Sequence, residues 1–216
     1  MSGKAPLPKS FYTRDPKIVA IDLLGKILVR RLDDNYLEGI IVETEAYYGA
    51  NDPASRARNG MKRYNAPMWG EVGLAFIYNV HNNWMLNVVA HEQGSVGAVL
   101  VRAIEPLRGI DIMMANRKIY DDIINLTNGP GKLTRALKID GKLNRVDLAN
   151  NGSPIFISPG ENLGWRRIWQ SRRVGVKKDL DMRLRFYVGD SSFVSKRFRS
   201  DLPVDFNAVR LNVNSD

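Results

Sequence analysis

Ile40-Ile41-Val42-Glu43-Thr44-Glu45-Ala46-Tyr47-Tyr48-Gly49 is the stretch from which the rest of the chain can be read. Apolar and β-branched residues run directly into two carboxylates, two tyrosines and a glycine. That is the pattern of a buried strand whose end opens into a loop. Side chains alternate along a strand, so Ile41, Glu43, Glu45 and Tyr47 share one face, and Val42, Thr44, Ala46 and Tyr48 the other. The first of these faces turns from apolar to acidic between neighbouring positions. Burying a lone carboxylate is costly, so two readings stand. In one, a glutamate is solvated at the strand end while the other pairs with an arginine. In the other, a carboxylate is held beside an aromatic ring in a pocket, as a general base.

Upstream of this stretch, Asp15-Pro16 gives an N-cap followed by proline at the first helical position. Ile18, Ile21 and Leu24 keep to one helix face, and Gly25 can end the helix in a left-handed turn. Residues 26–32 read as a strand, Asp33-Asp34-Asn35 as a turn, and residues 36–46 as the returning arm of a hairpin. Downstream, residues 49–73 are irregular and rich in Gly, Asn, Pro and Arg. A long structureless insert in a compact domain is usually functional or disordered. Here Arg56, Arg58, Lys62 and Arg63 alternate with Tyr64, Met68 and Trp69, a mixture suited to lying on nucleic acid.

Strand patterns return at residues 74–78, 84–90 and 97–104. Asn87 interrupts the second and Arg102 the third, and a charged residue within Ala-Val-Leu-Val-Arg-Ala-Ile needs a partner. Glu43 or Glu45 is the obvious one. Glu105-Pro106 predicts a helix through Met114. Asn128-Gly129-Pro130-Gly131-Lys132-Leu133 reads as a turn feeding a helix with Leu133, Ala136 and Leu137 on one face, whose N-terminus and Lys132 form an anion site. From Leu148 to Gly164 the chain is loop-rich. Trp165-Arg166-Arg167 and residues 171–178 are its densest basic region, and residues 184–188 read as a closing strand. The whole predicts one mixed α+β domain.

Composition narrows the function. A chain of 216 residues fits one large domain with a substantial core. Its 32 Lys+Arg against 23 Asp+Glu leave a formal charge of +9, a surplus that suits a phosphate backbone better than a neutral metabolite. With no cysteine there is no disulfide framework, Cys-ligated zinc or thiol nucleophile. His81 and His91 are the only imidazoles, so a His-rich metal site is excluded as well. Nothing approaches the ~20 apolar residues of a membrane span. The first ten residues are polar and proline-bearing rather than a signal peptide. The expectation is an intracellular, soluble protein.

Taken in order, Leu-Leu-Gly-Lys-Ile-Leu-Val-Arg at 23–30, Ile-Val-Glu-Thr-Glu-Ala-Tyr at 41–47 and Asp-Pro-Ala-Ser at 52–55 resemble the alkyladenine (3-methyladenine) DNA glycosylases. Asn-Gly-Pro-Gly-Lys-Leu at 128–133, Arg-Val-Gly-Val at 173–176 and Leu-Arg-Phe-Tyr at 184–187 extend the resemblance over nearly the whole chain. It implies one domain with a curved, mainly antiparallel sheet and flanking helices. It further implies a monomeric, cofactor-free enzyme that flips a damaged purine out of double-stranded DNA and hydrolyses its N-glycosidic bond. By position, Glu45 matches the family's general base and Arg102 the arginine beside the attacking water. A backbone carbonyl of the Arg173–Val176 motif, that of Val174, would also touch that water. Tyr47 and Tyr78 match the aromatics that sandwich the flipped base, and Asn87 the amide that rejects the amino group of guanine. Lys132, Arg173 and Lys177 are expected on the DNA backbone.

Two positions depart from the family. Arg56 stands where a histidine usually contacts the flipped nucleotide, and its charge suggests a phosphate contact instead. The segment before Trp84 is one residue shorter than usual, which puts His81 where a tyrosine usually wedges into the vacated stack. Two rival readings remain. An inverting sugar glycosidase could use Glu43 and Glu45, about 7 Å apart along a strand, and a noncatalytic nucleic-acid-binding module would account for the charge.

Overall fold

The computed structural model describes residues 4–160, 163 and 168–205; the basic run Trp165-Arg166-Arg167 lies outside them. The motif-bearing stretch is the hub of the fold. It belongs to β2 (Asn35–Tyr47), a strand of 13 residues buried from Leu37 to Ala46. One edge of β2 pairs along nearly its whole length with β5 (Ala98–Arg108). The other edge is shared: β1 (Ile27–Leu32) takes residues 35–40, and β8 (Arg185–Val188) takes residues 43–45. The sheet therefore forks at β2. From β5 it continues through β4 (Asn83–Val89) to β3 (Ala75–Val80), and from β8 through β7 (Ile168–Ser171) to β9 (Leu202–Pro203). Beyond β1 lies β6 (Ile155–Ser158). Every pairing is antiparallel and the sheet does not close.

One face of this sheet is apolar and carries three helices, α1 (Pro16–Asp22), α2 (Ile110–Arg117) and α3 (Pro130–Ala136). Asp15 caps α1 through a 2.7 Å bond from the Lys17 amide, and Thr44 of β2 ties that helix down by donating to the Ala20 carbonyl at 2.7 Å. Thr134 of α3 likewise donates to the Trp84 carbonyl on β4. Val42, Ala46, Val99, Val101, Val88 and Phe186 belong to the same apolar cluster as Val19, Ala20, Leu133 and Ala136. Among the described residues no helix is long and apolar enough to cross a membrane.

Several elements differ from the sequence-based expectation. Residues 105–108, read as the start of a helix, continue β5, and α2 begins only at Ile110. Pro106 sits in the strand because Leu107 has no opposite residue on β2: Gly39 faces Pro106 and Glu38 faces Arg108. A bulge is where a sheet tolerates proline. The break falls at Gly109, whose φ of 71° and closeness to Leu37 and the Tyr36 carbonyl leave no room for a Cβ. β6, in a stretch expected to be loop, and β7, for which no strand was expected, are four residues each, too short for a periodicity to show.

Candidate active site

The second sheet face is polar, and it is built by a pair of compensating irregularities. Ile41 faces Ile104 and Glu43 faces Ala103, which leaves Val42 without an opposite residue; Thr44 then faces Val101, which leaves Arg102 without one. Bulges of this kind re-aim a side chain beside a site. The Arg102 guanidinium reaches both glutamates of β2, with Nε 2.6 Å from Glu43 Oε1 and a terminal nitrogen 3.1 Å from Glu45 Oε1.

Glu43 is fully enclosed. Its Oε1 accepts from Arg102, from Arg185 Nε at 2.8 Å and from the Ser195 hydroxyl at 2.8 Å, and its Oε2 accepts from the Ser195 amide at 2.6 Å. Burial alone would raise the pKa of this carboxyl, but Arg102 and Arg185 outweigh it and hold it below the usual range. Arg185 has no exposed side-chain surface and also donates to Ser171 and to the Lys196 carbonyl. Both neighbours were missed as site residues. Arg185 lies inside the Leu-Arg-Phe-Tyr motif and carried the only signal; nothing in the local sequence marks Ser195.

Glu45 is held differently. Oε1 accepts from the Val174 amide at 2.7 Å and forms an ion pair with Arg102 at 3.1 Å, and Oε2 accepts from the Tyr47 hydroxyl at 2.7 Å. A carboxylate offers about four acceptor positions. Among the described residues hydrogen bonds take two, one on each oxygen. The Val174 N–H is thus bound to Glu45, and its carbonyl was expected on the attacking water. Burial, and then the Glu45 carboxylate, push the Tyr47 phenol well up, which keeps it a donor. Burial lowers the charged form of Arg102, but Glu45 and Glu43 together raise its pKa.

Tyr47, Arg102 and Val174, the three groups that hold Glu45, all line one cavity of about 770 Å³. Its wall also includes Tyr78, Arg56, His81, Met85, Leu100 and Lys177. The two tyrosines expected to hold a base are therefore both present. Arg173 lies 4.5 Å over the Tyr47 ring and Arg56 4.7 Å over that of Tyr78. Arg56 is thus set against an aromatic ring in the cavity wall. Asn87 stands just outside the wall: its Nδ2 donates to the Phe76 and Met85 carbonyls at 3.0 and 3.2 Å, and it lies close enough to Tyr78 to affect that phenol, which burial raises first of all.

His81 and Asn82 form the tip of the β3–β4 hairpin, both with positive φ (47° and 60°), as a two-residue turn of type I′ requires. His81 is exposed at the rim of the cavity. Asn83 donates to the His81 carbonyl and lies against Gly131.

The expectations for DNA-backbone residues divide. Lys177 is exposed on the cavity rim beside Lys178. Lys132 is held by the side-chain oxygens of Asn125 and Asn128, and burial, then Arg117, lower its pKa. Arg173 must be corrected. Its side chain has no exposed surface and all five N–H groups are used: Asp52 and Asp179 each accept twice, and the Ala46 carbonyl accepts the fifth. A guanidinium so enclosed cannot reach a phosphate. It fastens the Val174 loop to the end of β2 and to the loop after it, the one beginning at Tyr48. Asp52, at the head of the Asp-Pro-Ala-Ser motif, also accepts from the Tyr48 and Ala54 amides. Further along that irregular loop, buried Asn65 donates to the Arg56 and Gly60 carbonyls and accepts from the Lys62 amide. Among the described residues no three His, Cys, Asp or Glu side chains gather as a metal site.

Residues 10–192 match the methylpurine-DNA glycosylase family. Relatives from Aeropyrum pernix, Carboxydothermus hydrogenoformans and Methanoculleus marisnigri are each 42% identical, over 199, 192 and 195 residues. The alignments cover 91%, 88% and 88% of this chain and 96%, 99% and 99% of the relatives, all three provisionally named 3-methyladenine DNA glycosylases. The chain belongs to the methylpurine-DNA glycosylase family.

Proposed function

We propose that the protein excises damaged purines from double-stranded DNA as a monofunctional base-excision repair enzyme, acting as a monomer without a cofactor. The observation that carries the proposal is the environment of Glu45: a buried carboxylate fixed by two hydrogen-bond donors and an ion pair, with its partners in the wall of a cavity that also presents Tyr47 and Tyr78. A flipped purine loses stacking worth a few kcal/mol, and aromatic faces restore part of it. A water donating to Glu45 attacks C1′ with its oxygen. The C1′–N9 bond breaks, its electron pair leaves with the base, and the water's proton passes to Glu45. The carboxylate also stabilises the positive charge that develops on the sugar. Lys177, Lys178 and the +9 surplus suit the phosphate backbone, so the protein works in association with DNA inside the cell.

The sugar-glycosidase alternative requires a second free carboxylate, and Glu43 is enclosed by two arginines and Ser195. A noncatalytic binding module would have no use for a buried carboxylate whose partners line such a cavity. The test is a labelled duplex carrying one damaged purine. Wild type should release the free base and leave an intact abasic strand that breaks only on alkali or heating. Glu45→Gln should be at least 100-fold slower yet bind the duplex within a few-fold, since its side-chain oxygen can still accept from Val174 while its amide meets Tyr47. A Glu45→Gln enzyme of near-normal rate, or a covalent adduct trapped by borohydride in good yield, would refute the mechanism.

A further inference from the structure

We infer that Ser195 is a positioning residue for the reaction: its hydroxyl fixes the rotation of the Arg102 guanidinium, so that one terminal nitrogen is turned to Glu45. The inference rests on the base-excision reading above. It adds to that site a residue from a segment beyond the family match, which ends at residue 192.

The three nitrogens of Arg102 have three different partners. Nε donates to Glu43 Oε1 at 2.6 Å, Nη2 donates to Ser195 Oγ at 3.3 Å, and Nη1 stands 3.1 Å from Glu45 Oε1. Among the described residues no other hydrogen-bond acceptor meets Nη2. An arginine can only donate, so the serine oxygen must accept from it, which leaves the hydroxyl proton for Glu43 Oε1, 2.8 Å away. Glu43, Arg102 and Ser195 thus close a ring of three hydrogen bonds. Arg102 lines the cavity, and neither Ser195 nor Glu43 does. Whatever the hydroxyl contributes to the reaction therefore passes through Arg102.

The hydroxyl is not what fastens its own segment. The Ser195 amide donates to Glu43 Oε2 at 2.6 Å, the Lys196 carbonyl accepts from Arg185, and the Phe193 and Val194 side chains are buried. All of these attachments remain when the hydroxyl is removed. What changes is Arg102, whose Nη2 is left without an acceptor, and a buried donor without a partner is costly. A turn of the guanidinium that offers Glu45 two N–H groups relieves that cost, because the fork is the geometry a carboxylate binds best. A carboxylate paired in that way takes a proton from water less readily. The Ser195 hydroxyl holds Arg102 back from that turn.

The test is single-turnover excision at saturating enzyme, with duplex affinity measured alongside. The probe is whichever of hypoxanthine, ethenoadenine and 7-methylguanine wild type releases fastest from a duplex. Ser195→Ala should be about tenfold slower, the loss for one hydrogen bond to a charged group, while its affinity stays within about twofold of wild type. Ser195→Thr keeps the hydroxyl and should recover most of the rate, to within about threefold. In Arg102→Lys the pair of nitrogens that Glu43 and Ser195 hold is gone. Adding Ser195→Ala there should cost less than about twofold more, whereas a merely structural serine would slow both backgrounds equally. Equal losses in both backgrounds, or a Ser195→Ala rate within about twofold of wild type, would overturn the inference alone. If Arg102→Lys is too slow to follow, the threonine variant decides, and one as slow as Ser195→Ala would overturn it. Release of none of the three bases by wild type would overturn the base-excision reading, and the inference with it.

Discussion

Replacing Asp52 by asparagine tests whether the site is held together by the Arg173 junction. Asp52 has no exposed surface, and all four of its recorded partners are donors: Arg173 and the Ala54 amide on Oδ1, Arg173 and the Tyr48 amide on Oδ2, at 2.7 to 3.0 Å. Whichever way an asparagine turns, its amide nitrogen meets two N–H groups. The substitution therefore removes the charge facing Arg173 and sets two donor pairs in conflict. Breaking a buried ion pair by removing one partner costs about 3–5 kcal/mol. Arg173 keeps Asp179, which favours the lower end, about 3 kcal/mol. A domain with the usual margin of about 5–15 kcal/mol survives that loss, so the variant can be compared with wild type in urea, with tryptophan fluorescence as the probe. Excision should fall as well, even under conditions where the variant is fully folded. Arg173 precedes the Val174 amide that donates to Glu45, and its guanidinium lies 4.5 Å over the Tyr47 ring. A stability loss below about 1 kcal/mol would refute the account of the junction. A stability loss without any change in single-turnover rate would show that Val174 is held independently of it.

Three further outcomes are expected. Asn87→Ser should cost about 1–3 kcal/mol, because the Phe76 and Met85 carbonyls lose their shared donor, and it should raise release of normal guanine; unchanged guanine release would put that exclusion elsewhere. His81→Gly keeps the positive-φ turn and should weaken action on a duplex lesion by about 1–3 kcal/mol with far less effect on a single strand, whereas equal losses on both would make His81 structural. Acid stability should follow Glu43 and Asp52. Burial raises both carboxyls, but the arginines and amide donors outweigh it and hold both below the usual range. Their contribution is then full above the unfolded pKa of about 4 and is lost as pH falls through the lower folded values. The urea midpoint should stay flat from about pH 7 to 5 and drop below 4; a decline already present at pH 6 would implicate another group.

What the sequence revealed, and what it hid, follow one physical line. Period-two patterns long enough to register, the hairpin of β1 and β2 and the strands β3 and β4, were legible, as was the need of Arg102 for a glutamate partner. Elements of four residues were not, nor was a strand that carries Pro106 past a bulge. At the site, chemistry was more legible than its division of labour. Arg173 in a basic stretch looked like a phosphate ligand because local charge says nothing about Asp52, 121 residues away in sequence. Ser195, 152 residues from Glu43, had no local signal at all. Interactions between distant segments enter a single sequence only through motifs, and Ser195 lies in none.

The two glutamates illustrate why position on the strand does not decide role. Glu43 and Glu45 sit two residues apart with the same Arg102 between them, yet their surroundings differ in kind. Glu43 faces two guanidinium groups and a serine, an environment that favours the charged form and leaves the carboxylate little capacity to take a proton. Glu45 shares one guanidinium and otherwise has two donors that carry no full charge, a backbone amide and a phenol. A general base must give up its negative charge as it takes a proton, and each arginine facing it opposes that change. The second arginine, Arg185, therefore separates the two: it commits Glu43 to orienting Arg102, and the proposed reaction assigns the work on water to Glu45. The bulge that frees Arg102 from an opposite residue lets one side chain serve both.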